Sequence, residues 1–202
     1  MTTPPTLTTP RLRLRPWRDA DRNALWAMQS DPRVMEFLMP VADRAASDAV
    51  ADRIARHFAD HGFGLWVVEV PGVTSFAGYT GLVHVPYAAH FTPAIEVGWR
   101  FLRHSWGYGY ATEAARACLG FGFEMLGLEE IVAITVPSNR RSRAVMERLG
   151  MTHDPRDDFD MPTVPVGHPL RHHVLYRMSR KALERDADAA PHDQRNRPVP
   201  AP

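Results

Sequence analysis

The chain has very little cysteine, and Cys118 is its only thiol. One cysteine excludes a disulfide within the chain and is typical of proteins from a reducing compartment. Its neighbours Ala114, Ala115, Leu119 and Phe121 have the character of a helix interior, so we interpret Cys118 as a packing group. The chain also lacks an apolar run long enough to span a membrane and a basic, apolar leader at its start. We therefore expect a cytoplasmic protein with no membrane partner.

An excess of charge of either sign is also missing. The 24 Lys and Arg residues are balanced by 23 Asp and Glu, which gives a net charge of +1. Because basic and acidic residues are interspersed, we expect no nucleic-acid partner. What the chain does have is 45% hydrophobic residues over 202 positions, enough for one domain with its own core.

Hydrophobic periodicity predicts alternating strands and helices in a domain from residue 7 to residue 183. Residues 11–15 alternate strictly and predict a strand, and Asp19 is a candidate N-cap for the helix that follows. The other predicted strands are 65–70, 76–85, 94–101, 130–136 and 174–178, and the other predicted helices are 44–61, 111–126 and 139–149. This order indicates an α/β fold with a mixed sheet. Periodicity is lost further on, so we expect residues 184–202 to form a disordered tail.

Two glycines between a predicted strand and a predicted helix mark the first informative motif. The strand segment from Glu96 is followed by Trp106-Gly107-Tyr108-Gly109-Tyr110-Ala111-Thr112-Glu113-Ala114. Such a turn directs free backbone N–H groups and a helix dipole at one point, where a phosphate or pyrophosphate binds well. The motif lacks the Gly-Lys-Ser/Thr of a P-loop and the third glycine of a dinucleotide-binding loop. A tight turn without a ligand is the alternative interpretation.

A second motif follows thirty residues after the first. Residues 136–150 predict a strand end, a polar turn and a short helix that a glycine ends, and Asn139 is well placed to cap that helix. Together the two motifs resemble the GNAT superfamily of N-acetyltransferases, particularly its ribosomal-protein-acetylating branch. That branch has Trp-Gly-Lys-Gly-Tyr-Ala-Thr-Glu-Ala in the first motif and Asn-x-x-Ser, then Leu-Gly-Phe, in the second. The resemblance extends from about residue 7 to 183 and includes Gly78-Tyr79-Thr80-Gly81-Leu82.

The resemblance implies a fold and a cosubstrate. It implies a mostly antiparallel central sheet that is splayed at the fourth predicted strand, with helices on both faces, and it implies acetyl-CoA as the acetyl donor without a metal. The backbone of the strand end would pair with the pantetheine arm through Trp99, Arg100 and Phe101. The N–H groups that would hold the pyrophosphate belong to Gly107, Tyr108, Gly109, Tyr110, Ala111 and Thr112. Trp106 replaces the Gln or Arg of the wider superfamily, as it does in the branch, and this removes only a side-chain donor.

The resemblance also assigns roles to two side chains of the second motif. Asn139 would hydrogen-bond the pantetheine, and Ser142 would lie near the thioester sulfur and donate a proton to the leaving thiolate. Acetyl transfer to an amine also needs a base. We favour Glu96, because a partly buried carboxylate has a raised pKa, with His84 or a water chain as alternatives. Glu96 could instead pair with an arginine of the first predicted strand.

The acceptor is left open by the sequence. We expect a primary amine, such as a protein N-terminus, in a cleft lined by Trp26, Phe37 and Met39. A small-molecule amine and a non-catalytic acetyl-CoA-binding module are the alternatives, and the chain could be a monomer or a homodimer.

Three further groups have a functional and a structural interpretation. The arginines at 140, 141 and 143 could meet coenzyme A phosphates or form a solvated turn. The acids of residues 154–160 could attract a cationic amine or belong to a solvated loop. His57 and His61 have a metal-pair spacing but no evident third ligand, so we expect a solvated face.

Overall fold

The structure is a computed structural model, and it describes residues 5–183. The predicted tail at 184–202 lies outside the described residues. The helices are α1 (Asp21–Gln29), α2 (Arg44–His61), α3 (Tyr110–Glu124) and α4 (Arg140–Arg148). The strands are β1 (Leu7–Thr8), β2 (Arg13–Arg15), β3 (Leu65–Val70), β4 (Thr74–His84), β5 (Ile95–Phe101), β6 (Glu130–Thr135), β7 (Thr152–His153), β8 (Phe159–Asp160) and β9 (His172–Ser179). Among these residues, no helix is long and apolar enough to cross a membrane.

The strands form one mixed sheet in the order β1-β2-β3-β4-β5-β6-β9-β7, with β8 paired to β9. The β5–β6 pair is parallel, and the other paired neighbours are antiparallel. A single bridge, Glu96 to Val132, joins β5 to β6. Beyond Glu96, β5 continues to Phe101 alongside β4 alone. β5 and β6 therefore diverge after Glu96. This is the splay predicted at the fourth strand, which is the fifth strand of the structure because the short β1 precedes the predicted ones.

Helices cover both faces of the sheet. Successive residues of a strand point to opposite faces, and on β3 Val67 packs with Leu25 and Met28 of α1. Its neighbours Trp66 and Val68 belong to a second cluster, to which α3 contributes the buried residues Ala114, Ala115, Cys118, Leu119 and Phe123. The predicted packing role of Cys118 is confirmed, and burial raises the pKa of its thiol to about 12.

The start of α1 differs from the prediction. Asp19 was expected as the N-cap, but the cap position is Ala20, and no side chain bonds to the helix end there. Asp21 instead stabilises the turn before the helix by accepting a hydrogen bond of 2.7 Å from the backbone N–H of Arg18. The physical reason is that Asp21 is also the partner of a buried arginine, Arg15, which holds it at the first position of the helix.

Arg15 connects β2, β3 and α1. Its side chain is 3% exposed, so each of the five N–H groups of the guanidinium needs an acceptor. Asp21 accepts two hydrogen bonds of 2.8 Å, the Pro16 and Ser75 carbonyls accept bonds of 3.0 and 3.1 Å, and Glu69 accepts the Nε proton. The network satisfies all of these donors and ties three elements together.

Candidate active site

The divergence of β5 from β6 leaves backbone groups free in the middle of the sheet. Hydrogen bonding alternates along an antiparallel strand, and Leu102, just past β5, donates to the Ala77 carbonyl at 2.9 Å. By this alternation Arg100 directs its backbone groups to β4, opposite Tyr79. Trp99 and Phe101 direct theirs into the gap. An extended ligand could therefore pair with the backbone of Trp99 and with the N–H of Phe101, whose carbonyl accepts from the Trp106 indole, whereas the backbone of Arg100 is already engaged.

The glycine turn predicted to hold a pyrophosphate leads directly into α3. Gly107 and Gly109 have φ angles of 84° and 80°, a region that glycine adopts without strain. No side chain caps α3 at Gly109, and the first backbone bond of the helix runs from Glu113 to the Gly109 carbonyl at 3.1 Å. The amides that precede Glu113 in this turn are thus available to an anion.

Two contacts hold the turn in place. The indole of Trp106 donates to the Phe101 carbonyl at 2.8 Å and fixes the turn to the end of β5. Arg11 donates to the Tyr108 carbonyl at 3.0 Å and forms an ion pair of 2.6 Å with Glu113. Burial alone would raise the pKa of Glu113, but hydrogen bonds from Thr9 and Arg11 outweigh it and hold that pKa below its usual value.

Asn139 and Ser142 lie on the other side of the gap, at the start of α4. Asn139 caps the helix by accepting a hydrogen bond of 3.2 Å from the Ser142 N–H, and its amide donates to Thr135 at 3.0 Å. The predicted capping role of Asn139 is therefore confirmed. The Ser142 hydroxyl accepts a hydrogen bond of 3.2 Å from the indole N–H of Trp99. This bond crosses the gap and leaves the hydroxyl proton of Ser142 free to donate.

The residues predicted to bind acetyl-CoA, together with the predicted base Glu96 and acid Ser142, line one cavity of about 1530 Å³, whereas the alternative base His84 does not. Sites for a single small ligand usually have 300–1,000 Å³, so there is room for two substrates. Arginines outnumber acids on the wall, which carries Arg11, Arg33, Arg100, Arg116, Arg140, Arg141 and Arg148 against Glu96 and Glu113. This balance favours a ligand with several negative charges.

Glu96 lies at the point where the two strands part. It is half-buried, faces the cavity, and is the last residue of β5 that is bridged to β6. Burial raises the pKa of its carboxyl to about 8. Glu96 does not pair with an arginine of the first predicted strand, residues 11–15. Those arginines have other partners: Arg11 pairs with Glu113, Arg13 with Glu69 and Arg15 with Asp21.

Several residues that the sequence suggested do not reach the cavity. Phe37 lines it, but Trp26 and Met39 do not, so the prediction for the acceptor cleft is only partly right. Arg143 is also away from the wall and donates to the Tyr176 hydroxyl at 3.2 Å.

The acidic segment is engaged in ion pairs. Asp154 pairs with Arg156, Asp157 with Arg177 and Asp160 with Arg171, and Asp158 forms a hydrogen bond of 2.7 Å with His153. None of these acids lines the cavity, which favours the structural interpretation of this loop.

The sequence analysis did not predict that five arginine side chains would line the cavity, namely those of Arg11, Arg33, Arg100, Arg116 and Arg148. One signal was available. Arg116 lies four residues after Thr112, and residues four apart share one face of a helix. The guanidinium of Arg116 donates to the Arg148 carbonyl at 3.0 Å, which connects α3 to α4 beside the cavity. Arg33 carries no such signal, because it lies in the irregular segment between α1 and α2.

A strand edge inside the sheet, a helix N-terminus with free amides and an arginine-rich cavity define a site for an extended, polyanionic cosubstrate. Comparison with known proteins names the class. Residues 11–152 match the family model described as "Acetyltransferase (GNAT) domain". The chain therefore belongs to the GNAT family and is an acetyl-CoA-dependent N-acetyltransferase, as its resemblance to that family implied.

Three relatives illustrate the similarity. The uncharacterized protein YkkB of Bacillus subtilis is 34% identical over 146 residues, 72% of this chain and 84% of YkkB. The FsC-acetyl coenzyme A-N(2)-transacetylase of Aspergillus fumigatus is 35% identical over 156 residues, 74% of this chain and 66% of that protein. Mycobacterium smegmatis RimJ, solved in complex with CoA-disulfide, superposes with a TM-score of 0.73 at 22% identity, covering 92% of this chain and 95% of RimJ. The likeness to RimJ concerns the fold.

Proposed function

We propose that this acetyltransferase moves the acetyl group directly from acetyl-CoA to an α-amino group, with Glu96 as the base and Ser142 as the acid. The observation that carries the proposal is the position of Glu96. A half-buried carboxyl with a pKa of about 8 lies where β5 and β6 part, on the same cavity as Ser142 and the free strand edge.

The pKa of Glu96 suits an α-amine. A base works best when its pKa lies near that of the proton donor and near the operating pH. An α-amino group has a pKa of about 7.7–8.0 and a lysine side chain about 10.4. Proton transfer to Glu96 is thus close to balanced for an α-ammonium, whereas a lysine side chain would face an uphill transfer of roughly 3 kcal/mol.

The remaining groups fit the other charges of the reaction. The amine nitrogen attacks the thioester carbon, and Glu96 takes the proton that the nitrogen releases. The N–H groups of Trp99 or Phe101 stabilise the oxyanion. As the carbon–sulfur bond breaks, Ser142 gives its proton to the leaving thiolate and regains one from solvent. Trp99 orients Ser142 for this step, because its indole N–H occupies a lone pair of the hydroxyl oxygen.

The charges around the acceptor side limit the substrate. Arg100 shares its strand face with Glu96 by alternation, and its guanidinium lies 5.5 Å from the centre of the Tyr79 ring. Arg33 and Phe37 come from the segment between α1 and α2 and line the same cavity. Arginines face this space, and the acids of residues 154–160 do not. We therefore propose an acceptor with little positive charge besides its amine.

A small-molecule amine is the second candidate. It is favoured by the 35% identity to the transacetylase from A. fumigatus, whose name states N(2)-acetyl transfer. Both proposed functions use the same acetyl-CoA site and differ in the acceptor that binds beside Phe37.

The test is release of coenzyme A thiol from acetyl-CoA, measured over matched acceptors. The panel contains peptides with a free N-terminus and neutral or acidic following residues, the same peptides with a blocked N-terminus and a free lysine, spermine, and small amino compounds. We expect turnover on free N-termini and a kcat/KM at least about tenfold lower on the lysine peptides. Turnover confined to small amines would favour the second candidate.

Two variants connect activity to the proposed residues. Glu96→Gln and Ser142→Ala should each lower kcat by roughly 100-fold while acetyl-CoA still binds. Glu124→Gln is the matched control, because Glu124 is an exposed carboxylate at the far end of α3. Full activity in Glu96→Gln would contradict the assignment of the base. Binding of acetyl-CoA without turnover on any amine would indicate the non-catalytic module.

A further inference from the structure

Three histidines meet at one end of the sheet, outside the acetyl-transfer cavity. His57 and His61 lie four residues apart on the last turns of α2, and His84 is the last residue of β4. One ring nitrogen from each side chain lies within 4.8 Å of the others, and none of the three residues lines the cavity. The sequence analysis found no third partner for the His57–His61 pair, and the fold supplies it in His84.

We propose that His57, His61 and His84 form a site for one divalent transition-metal ion, with Zn²⁺ as the expected occupant. Imidazole nitrogens are ligands that Zn²⁺ prefers, and three of them with a water in the fourth position form a common open zinc site. Histidines at positions i and i+4 of a helix present their rings on one side, which is the side that faces His84.

The spacing of the first pair matches that of two zinc ligands. The Nε2 atom of His57 and the Nδ1 atom of His84 lie 3.3 Å apart. Two nitrogens bound to Zn²⁺ at 2.0–2.1 Å in tetrahedral geometry are about 3.3–3.4 Å apart. His61 is exposed at the end of α2, so rotation of its side chain can bring its ring nitrogen to the same ion.

A second contact fixes the proton on His57. Its Nδ1 atom lies 2.8 Å from the Phe63 carbonyl oxygen, which can only accept a hydrogen bond, so Nδ1 carries the proton. Nε2 therefore carries the lone pair, which accepts a hydrogen bond of 3.3 Å from the backbone N–H of His84 and which a bound ion would take over. Ligating histidines commonly hold their tautomer through such an outer hydrogen bond to a carbonyl.

The surroundings also favour a cation between the rings. Burial, together with the nearby imidazoles, lowers the pKa of His57, and burial and then His61 lower the pKa of His84. Neutral imidazole is the form that binds metal. The rings lie at the C-terminal end of α2, where the helix dipole favours positive charge, and the Asp60 carboxylate adds negative charge close to His57.

The site would act as a clip between α2 and β4. The residue before His84, Val83, pairs across the strands with Glu96, so a metal here would hold the end of the hairpin that carries the proposed base. Its occupancy is independent of acetyl transfer, because no proposed catalytic group binds the ion.

The test uses the full chain without a polyhistidine tag, after treatment with a chelator. Calorimetric titration with Zn²⁺ should show one ion per chain with a Kd of about 1 µM or tighter. Co²⁺ as a probe should give the visible absorption bands of a four-coordinate site with three nitrogen ligands. At a free Zn²⁺ concentration of 100 times the Kd, the melting temperature should rise by roughly 5–10 °C.

Variants decide whether these three residues hold the ion. His61→Ala and His84→Gln change exposed side chains, and each should weaken Zn²⁺ binding at least about tenfold and abolish the melting shift. His104→Ala, at an exposed histidine elsewhere, is the matched control and should bind like the wild type. Equal binding in His61→Ala and His84→Gln, or a Kd weaker than about 100 µM in the wild type, would overturn the proposal.

Discussion

Replacing Glu96 by glutamine should stabilise the folded protein, and the gain should grow with pH. The pKa of Glu96 rises from an ordinary 4.5 to about 8 on folding, and burial is the cause. A carboxyl with a raised pKa binds its proton more tightly in the folded state than in the unfolded state. Its contribution to stability is therefore fully present below pH 4.5 and is lost as the pH rises through 8.

The magnitude follows from the two pKa values. One pKa unit corresponds to about 1.4 kcal/mol between the protonation states, so the difference of about 3.5 between 8 and 4.5 sets an upper limit of about 5 kcal/mol. Glu96 is half-buried and faces a cavity that solvent can enter, so we expect about 2 kcal/mol. For a domain of this size, 2 kcal/mol corresponds to roughly 4–8 °C in melting temperature.

The assay is thermal unfolding of the wild type and Glu96→Gln at pH values from 5 to 9, without acetyl-CoA. The difference in melting temperature should be small at pH 5, should widen through pH 7 and should level off above pH 8. Glu124→Gln, which changes an exposed carboxylate, should show no such widening. A difference between wild type and Glu96→Gln that stays constant across this range would refute the reasoning. In the wild type, kcat/KM should rise with pH through about 8 as Glu96 loses its proton.

Three more substitutions, one of them with a matched control, test parts of the structure described above. Arg15→Ala should cost about 3–5 kcal/mol in urea unfolding, because it leaves Asp21 buried without a cation; a loss below 1 kcal/mol would contradict the network. Gly109→Ala should cost about 1–2 kcal/mol at its φ of 80° and should also weaken coenzyme A binding. Gly127→Ala, at a φ of 70° away from the cavity, should show the strain without the binding loss; calorimetric titration with coenzyme A separates the two effects. Trp99→Phe removes the donor to Ser142 and should lower kcat about tenfold at unchanged acetyl-CoA affinity, and an unchanged kcat would contradict the orienting role of Trp99.

Local sequence signals predicted most of the fold. The strand-like apolar run of β3 and the helical period of α2 predicted the bounds that the structure shows, and the resemblance to the GNAT family is confirmed. Strands of two residues, such as β7 and β8, carry no periodicity and were not predicted. Asp19 was a reasonable cap from sequence, but Arg15 recruits Asp21 because it is buried beside Glu69 and Ser75, which are distant in the chain.

The candidate site could also be predicted from sequence only where it depends on residues that are close in the chain. Gly107, Gly109 and Asn139 belong to short motifs whose backbone geometry depends on near neighbours, so their sequence positions carried the prediction. The third histidine beside His57 and His61 lies 23 residues beyond His61 in the chain, on another element. Only the tertiary fold brings such residues together. The ion pairs that neutralise the acids of residues 154–160 also depend on partners such as Arg171 and Arg177, which come from later in the chain.

The gap between β5 and β6 has a consequence for how this protein avoids aggregation. Unpaired strand edges normally lie at the rim of a sheet, where another chain can add to them. Here an unpaired edge lies in the middle of the sheet, and α3 and α4 line the cavity into which it opens. Trp99 and Ser142 further restrict the opening. Because this edge lies inside the cavity and not at the rim of the sheet, the protein keeps an unsatisfied edge for its cosubstrate without offering it to its neighbours.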